Sequence, residues 1–182
     1  MKNANLYLST LVTVLLLWSC DKGPDLTPTT QEGKNTFSCK VNGKVWIPDG
    51  TGDWFGVARA INGGFTTNNA NDRTIYLRTY KQDKTELHIF LKTIAVGIHE
   101  LNQKTNLRDR NFFPENYGWY QGAEGIGFMT NPNQRGRVVI TKADTISGVI
   151  SGTFEFEGGN SLGQRVKITD GRFDVNSRTV NL

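Results

Sequence analysis

Side chains able to do acid–base or nucleophilic chemistry are few in this sequence. It contains two histidines and two cysteines, namely His88, His99, Cys20 and Cys39. A catalytic nucleophile needs a nearby base that a third group orients, and no such grouping is visible around either histidine. His88 falls in a strand-like segment with Glu86 and Phe90 on its side. We therefore predict a hydrogen-bonded or exposed strand histidine and a non-enzymatic protein.

Metal and cofactor motifs are also incomplete. A zinc site needs three or four converging ligands, which two distant histidines and one thiol do not supply. Residues 49–53 are similar to the start of a calcium loop, but Trp54 stands where the turn needs glycine and no glutamate occupies the twelfth position. The glycines of residues 122–127 have the wrong spacing for a dinucleotide site. We expect no metal and no cofactor, with a hydrolase kept as an alternative because carboxylate separation is spatial.

The aromatic residues are the feature of the composition that suggests ligand binding. Exposed aromatic side chains can stack on sugar rings or anchor a partner protein, whereas buried ones would plug the ends of a β core. The candidate ligand-binding residues are Trp54, Tyr117, Trp119 and Tyr120. The ligand we expect for them is a glycan or a protein.

The N-terminus has the pattern of an export signal. Lys2 precedes an apolar run from Leu6 to Trp18, which is 13 residues long. Spanning a bilayer needs about 20 helical residues, so a cleaved leader is predicted over residues 1–19. Residues 17–20, Leu-Trp-Ser-Cys, resemble the bacterial lipobox, although Trp18 departs from the small residue usual there. That resemblance implies a lipid anchor, a diacylglyceryl thioether with an added acyl chain such as palmitate, on Cys20.

Two further segments follow the leader. Residues 20–35 are polar, contain Pro24 and Pro28 and lack apolar periodicity, so they predict a flexible tether. Residues 36–182 form one domain. If Cys20 is lipidated, Cys39 has no partner for an intramolecular disulfide and is expected to be a buried thiol. The net charge of +4 is mild, and its basic residues are scattered, so nucleic acid is not an expected partner.

The domain alternates with period two, which is the pattern of β-strands. Asn42-Gly43 predicts a tight hairpin between residues 37–41 and 44–47. Residues 74–80 and 85–92 predict a second pair, and residues 146–156 the longest alternating row. Further strands are predicted over residues 55–61, 125–130 and 137–142, and the last strand is predicted to contain a bulge at Asp170-Gly171. We therefore predict an all-β, antiparallel sandwich or incomplete barrel of roughly nine strands. Residues 100–120 are expected to be a connection with at most one short helix.

The chain resembles a Bacteroidota-type family of short lipoproteins that carry a domain of unknown function. The resemblance rests on residues 37–46 (FSCKVNGKVW), 97–101 (GIHEL), 137–144 with 150–154, and 168–175 (ITDGRFDV). It implies an antiparallel β fold and a cell-envelope location, with the outer membrane or cell surface favoured over the inner membrane. It implies no catalytic residue. Residues 144–146, Asp-Thr-Ile, are also similar to an O-glycosylation acceptor, which makes Thr145 a candidate for modification.

These observations favour a lipid-anchored, non-enzymatic binding module of the cell envelope. Two alternatives stay open beside the hydrolase. A lipocalin-like carrier of a small apolar ligand would require an unfilled barrel interior. A structural envelope component would show no pocket.

Overall fold

Every element in the described part of the chain is a β-strand. The computed structural model describes residues 24–53, 56–67, 71–105 and 114–180. The strands are β1 (Thr36–Val41), β2 (Lys44–Trp46), β3 (Thr51–Asp53), β4 (Gly56–Ala58), β5 (Ile61–Thr67), β6 (Arg73–Tyr80), β7 (Glu86–Leu91), β8 (Gly97–Glu100), β9 (Tyr117–Gln121), β10 (Gly127–Met129), β11 (Gly136–Asp144), β12 (Val149–Gly159) and β13 (Arg165–Asn176). The predicted all-β class is confirmed.

One antiparallel sheet holds eleven of these strands, and β3 and β4 form a separate hairpin. Nine strands follow the order β2-β1-β13-β12-β10-β9-β7-β6-β5, while β11 pairs with β12 and β8. This nine-strand path curls into a half-barrel, which confirms the predicted incomplete barrel of roughly nine strands. We call β2, β1, β13, β12, β11 and β8 the β12 half, and β10, β9, β7, β6 and β5 the β7 half.

Local sequence explains the sharpest features of the β12 half. Asn42 and Gly43 have φ of 48° and 82°, so both adopt the left-handed conformation that the hairpin requires, and Cys39 faces Trp46 as expected. Asp170 has φ of 54°. Beside it, the register of β12 against β13 shifts between Phe154 and Phe156, which confirms the predicted bulge.

Several segments differ from expectation. The sequence predicts a strand over residues 55–61, but the structure has the short β4 (Gly56–Ala58) and a separate β5 (Ile61–Thr67), whose alternation two glycines interrupt. Residues 117–121 form β9 rather than part of a connection, and the described residues contain no helix. The alternating row begins at Val149, since Ile146 lies in the preceding turn and is exposed.

The concave sides of the two halves share one core. Phe37, Phe154 and Phe173 contact one another in the β12 half, with ring centroids 5.0 to 6.5 Å apart. Gly118 of β9 lies against the ring of Phe156, which leaves no room for a β-carbon. Leu77, Leu87, Ile89 and Leu91 complete the interior from the β7 half. The described interior is therefore filled by side chains, which argues against a lipocalin-like lumen.

The second half of the predicted tether is fixed to the outer surface of the β12 half. We call residues 27–35 the strap. Its central contact is the buried carboxylate of Asp174, which accepts hydrogen bonds from Thr30 Oγ1 (2.5 Å), Glu32 N (3.0 Å) and Gly33 N (2.8 Å). Ser151 Oγ donates to the same carboxylate at 2.7 Å. The strap is thus anchored to the domain rather than free.

Candidate functional site

Strand register builds a grid of polar and aromatic side chains on the convex side of the β7 half. Tyr76 pairs with Phe90, Arg78 with His88, and Tyr80 with Glu86 across β6 and β7. On the next strand, Tyr117 pairs with Phe90, Trp119 with His88 and Gln121 with Glu86. Alternate residues of a strand share a face, so these nine side chains lie on the side opposite the core. This set is the outer aromatic face: Tyr76, Arg78, Tyr80, Glu86, His88, Phe90, Tyr117, Trp119 and Gln121.

His88 occupies the centre of the outer aromatic face. Its ring centroid is 4.4 Å from that of Trp119, and the rings of Tyr76 and Tyr80 meet it edge-on at 5.9 and 6.4 Å. Phe90 stacks on Tyr117 at 5.6 Å. The rings thus form one connected layer rather than isolated side chains.

A chain of hydrogen bonds runs through the same layer. His88 Nε2 lies 3.1 Å from Glu86 Oε2, and His88 Nδ1 lies 3.4 Å from the Tyr76 hydroxyl. An ionised carboxylate can only accept, so His88 Nε2–H donates to Glu86 and Nδ1 accepts from Tyr76.

Burial sets the protonation of this network. Desolvation, with the nearby Arg78 charge second, lowers the pKa of His88 to about 3, so the imidazole is neutral at physiological pH. Burial also raises the pKa of Glu86 and of the Tyr117 phenol. The centre of the outer aromatic face is therefore a neutral ring whose two nitrogens are both engaged.

The rim of the outer aromatic face is polar and half-exposed. The Arg78 guanidinium lies 5.2 Å from the centroid of the Tyr80 ring, a cation–π arrangement. Its Nε is buried and lacks a hydrogen-bond partner among the described residues. Trp119 rests over Gly127, where a β-carbon would come within 2.9 Å of the indole nitrogen. Tyr76, Tyr80, Glu86, Trp119 and Gln121 are partly exposed, so a ligand can reach rings, a carboxylate, an amide and a guanidinium together.

The structure brings together two of the four predicted ligand-binding residues. Tyr117 and Trp119 share the outer aromatic face, Tyr117 being buried and Trp119 half-buried. Tyr120, on the opposite side of the same strand, belongs to the core. Trp54 and Cys20 lie outside the described residues. Thr145 is half-buried in the turn between β11 and β12.

The sequence did not single out seven residues of the outer aromatic face for binding: Tyr76, Arg78, Tyr80, Glu86, His88, Phe90 and Gln121. The alternation of the sequence does place three of them on one face. Tyr76, Arg78 and Tyr80 alternate with Ile75, Leu77 and Thr79, which are buried. The prediction that His88 shares a side with Glu86 and Phe90 is confirmed. What the sequence did not contain was the pairing of that strand with Trp119.

A groove of about 460 Å³ lies on the convex side of the β12 half. Its charged lining residues are Glu100, Arg135, Arg137, Glu155, Glu157 and Lys167. Arg137 and Glu155 form an ion pair of 2.9 Å, and Glu157 pairs in register with Lys167. These carboxylates face cations of the same groove, so no pair of them stands out as a general acid and base.

The other groups considered from sequence have structural surroundings. Cys39 is a fully buried free thiol, and burial raises its pKa. His99 Nε2 lies 2.7 Å from the Ala95 carbonyl oxygen. Within the described ranges, no cluster of three or more histidine, cysteine or carboxylate side chains is arranged to hold a metal. The same ranges contain no helix long and apolar enough to cross a membrane.

Fold and site together define a class: an all-β half-barrel with a filled core and an aromatic, polar-rimmed outer sheet face. Residues 60–175 match the family model described as Domain of unknown function (DUF6252), and the chain belongs to that family. The matched range covers β5 to β12 and all of β13 but its last residue, and it contains the whole outer aromatic face. No curated protein and no solved structure matches the chain.

Proposed function

We propose that this protein is a lipid-anchored, non-enzymatic binding module of the cell envelope that recognises a glycan through the outer aromatic face. The observation that carries the proposal is the layer of joined rings around His88, bordered by Arg78, Glu86 and Gln121. A sugar ring has an apolar C–H side and a rim of hydroxyl groups. A partly exposed aromatic ring such as that of Trp119 can take the first, and polar side chains can take the second.

The polar groups suit hydroxyl recognition. Arg78 is half-exposed, and its guanidinium carries only donors, so it can donate to a hydroxyl oxygen of a ligand. The Glu86 carboxylate has lone pairs beyond the one that His88 engages. The pair therefore offers one donor and one acceptor beside the rings, which matches two hydroxyls of one sugar.

Trp119 supplies the test. Oligosaccharides built from hexoses, N-acetylhexosamines and uronic acids are printed as an array and probed with the protein and with Trp119→Ala. Stacking on one aromatic ring contributes about 1 to 1.5 kcal/mol, so the variant should bind the enriched oligosaccharides about tenfold more weakly. Leu162→Ala, an exposed apolar residue in the turn after β12, is the control and should bind as the parent does.

Two results would count against glycan recognition. If Trp119→Ala binds enriched oligosaccharides as tightly as the parent, the outer aromatic face is not the site. If neither protein enriches any oligosaccharide, the structural-component alternative is favoured. Thermal unfolding of each variant establishes that the fold is intact.

The membrane anchor rests on the leader and on the sequence around Cys20. One acyl chain binds membranes marginally, but each buried CH₂ adds about 0.8 kcal/mol, so two or three chains anchor stably. Labelled palmitate should be incorporated into the parent and into Cys39→Ser, and lost in Cys20→Ser. Label that persists in Cys20→Ser rules out this anchor.

Thr145 is proposed as an O-glycosylation site on its sequence context alone. Asp144 stabilises the turn by accepting from the Ile146 and Ser147 amides at 2.8 and 3.2 Å. Intact-mass measurement of protein from the native host should show an added glycan that disappears in Thr145→Ala. A mass unaffected by this substitution contradicts the modification.

A further inference from the structure

The strap leaves the domain at a defined place. Thr27 N donates to Ser38 Oγ at 3.0 Å, and Arg172 Nη1 donates to the Thr27 carbonyl oxygen at 3.3 Å. Ser38 lies between the core residues Phe37 and Cys39, so its side chain points to the convex side of the β12 half. The chain toward Cys20 therefore departs from the convex side of the β12 half and not from the outer aromatic face.

Strap docking shortens the connection to the lipid. Cys20 and Thr27 are seven positions apart, a reach of at most roughly 25 Å for extended chain. Without the strap contacts, the free chain would extend from Cys20 to Thr36 and reach roughly 55 Å.

The length of the free connection limits how far the domain can rotate relative to the lipid surface. A domain of this length has a radius of roughly 20 Å, so half its circumference is roughly 60 Å. A connection of roughly 25 Å cannot pass around the domain, whereas one of roughly 55 Å nearly can. With the strap contacts, the domain can therefore present only one side to the lipid surface. Without them, it could present many sides.

We propose that the strap is an orienting device: it holds the convex side of the β12 half toward the lipid surface and directs the outer aromatic face away from it. The lipid surface is the partner of the strap side, and this inference rests on the proposed anchor at Cys20. Asp174 is the fixed point, because its carboxylate binds the strap through Thr30, Glu32 and Gly33 at once.

The test measures which side is near lipid. Isotope-labelled protein expressed from the complete sequence is purified from membranes and placed in nanodiscs containing a gadolinium-chelate lipid. Paramagnetic relaxation is compared for the amides of Lys40 and Arg172, beside the strap exit, and of Arg78 and His88. Packed sheets lie about 10 Å apart and the effect falls with the sixth power of distance, so the enhancement should be on the order of tenfold larger for the first pair.

A strap variant supplies the control. Gly33 has φ of +74°, and the β-carbon of Gly33→Ala would lie 2.9 Å from Asn176 Cβ. This substitution should therefore displace the strap from the domain. The ratio of relaxation enhancement between the two pairs of amides should then fall below twofold. Gly163→Ala has φ of +77° but open space around the new β-carbon, and it should retain the difference. Equal enhancement on both sides of the parent, or no change in Gly33→Ala, overturns the orienting role.

Failure of the anchor would look different. If the parent does not co-purify with membranes, lipidation at Cys20 is wrong. A maleimide lipid coupled to Cys20 then tests the strap separately, because Cys39 is fully buried and does not compete. Equal enhancement of both sides in that preparation would also overturn the orienting role.

Discussion

Burial decides the charge of His88, and the charge decides what its ring can do. The groups that face it are Arg78, Glu86, Tyr76, Tyr80 and Trp119. Only Glu86 would favour an imidazolium, and the Arg78 charge and desolvation oppose it. A neutral His88 can pack closely against Trp119, with the ring centroids 4.4 Å apart, without leaving a desolvated charge beneath the aromatic layer.

His88 makes folding stability depend on pH. Its pKa is about 3 in the folded protein against an ordinary value of 6.5, so below pH 6.5 the unfolded chain binds the extra proton. Its stabilising contribution is full above pH 6.5 and is lost as the pH falls toward 3, by up to about 1.4 kcal/mol per pH unit. Urea unfolding between pH 6.5 and 4.5 should show this slope in the parent and a flatter one in His88→Gln. Parallel slopes would contradict a neutral buried His88.

Asp174 has the opposite charge preference. Burial disfavours its ionised form, but hydrogen bonds from Thr30, Ser151, Gly33 and Glu32 outweigh burial and lower its pKa to about 2 from 3.8. The folded state therefore favours the carboxylate. Its contribution is present above pH 4 and is lost as the pH falls toward 2.

Removing that carboxylate should be costly. Asp174→Asn replaces a charged acceptor of several hydrogen bonds, and we expect a loss of about 3 kcal/mol in the free energy of unfolding at pH 7. The matched control is Asp170→Asn in the same strand, where an exposed ion pair with Lys40 at 3.0 Å is removed and the loss should stay below about 1 kcal/mol. Equal losses in the two variants, measured by urea unfolding, would show that the strap contacts contribute little.

At the scale of elements, close approach of β11 to β12 depends on a missing side chain. A β-carbon on Gly136 would come within 2.1 Å of Phe156 Cβ and 2.5 Å of the Glu155 carbonyl oxygen. Gly136→Ala should therefore displace the start of β11 and destabilise the protein by about 2 kcal/mol. Gly122→Ala, whose β-carbon would have its nearest neighbour at 3.9 Å, should change stability by less than about 0.5 kcal/mol. Denaturant midpoints of the two variants make the comparison, and similar midpoints would contradict this packing.

Elements with a local signal were predictable from the sequence. The Asn42-Gly43 hairpin follows from the conformation of two residues, and the bulge near Asp170 follows from a change of alternation between Ile168 and Phe173. β5 lacked such a signal, because Gly63 and Gly64 interrupt its pattern. The sequence predicts a connection where β9 lies, because residues 100–116 lack alternation, although alternation within residues 117–121 separates Trp119 from Tyr120.

The candidate site was less predictable than the fold for a physical reason. His88 and Trp119 meet only because β7 pairs with β9, strands that the chain separates by the whole of residues 92–116. Register between distant strands depends on the complete sheet, and no local pattern contains it. The sequence therefore supplied Trp119 and Tyr117 as candidates but not the histidine, arginine and tyrosines that surround them.

At the scale of the whole molecule, one core joins both halves of the sheet. Cys39 contributes to that core from β1, and Trp46 beside it donates a 2.7 Å hydrogen bond to Thr85, the residue before β7. Phe156 of the β12 half contacts Gly118 of the β7 half. If one half separated from the core, the buried side chains of the other half would become exposed to solvent. The domain should therefore unfold as one unit.

The rate at which a thiol reagent labels Cys39 can test whether the domain unfolds as one unit. Burial raises the pKa of its thiol, and only a thiolate exposed to solvent reacts readily, so labelling requires an opening that reaches the core. In Cys20→Ser, a thiol reagent should modify Cys39 with an opening free energy equal to the global free energy of unfolding, and both should fall with the same dependence on urea. In Cys20→Ser/Trp46→Phe, loss of the hydrogen bond to Thr85 should lower both quantities equally. Labelling that is faster than global unfolding and independent of urea would show that β1 opens by itself, and the domain would then not unfold as one unit.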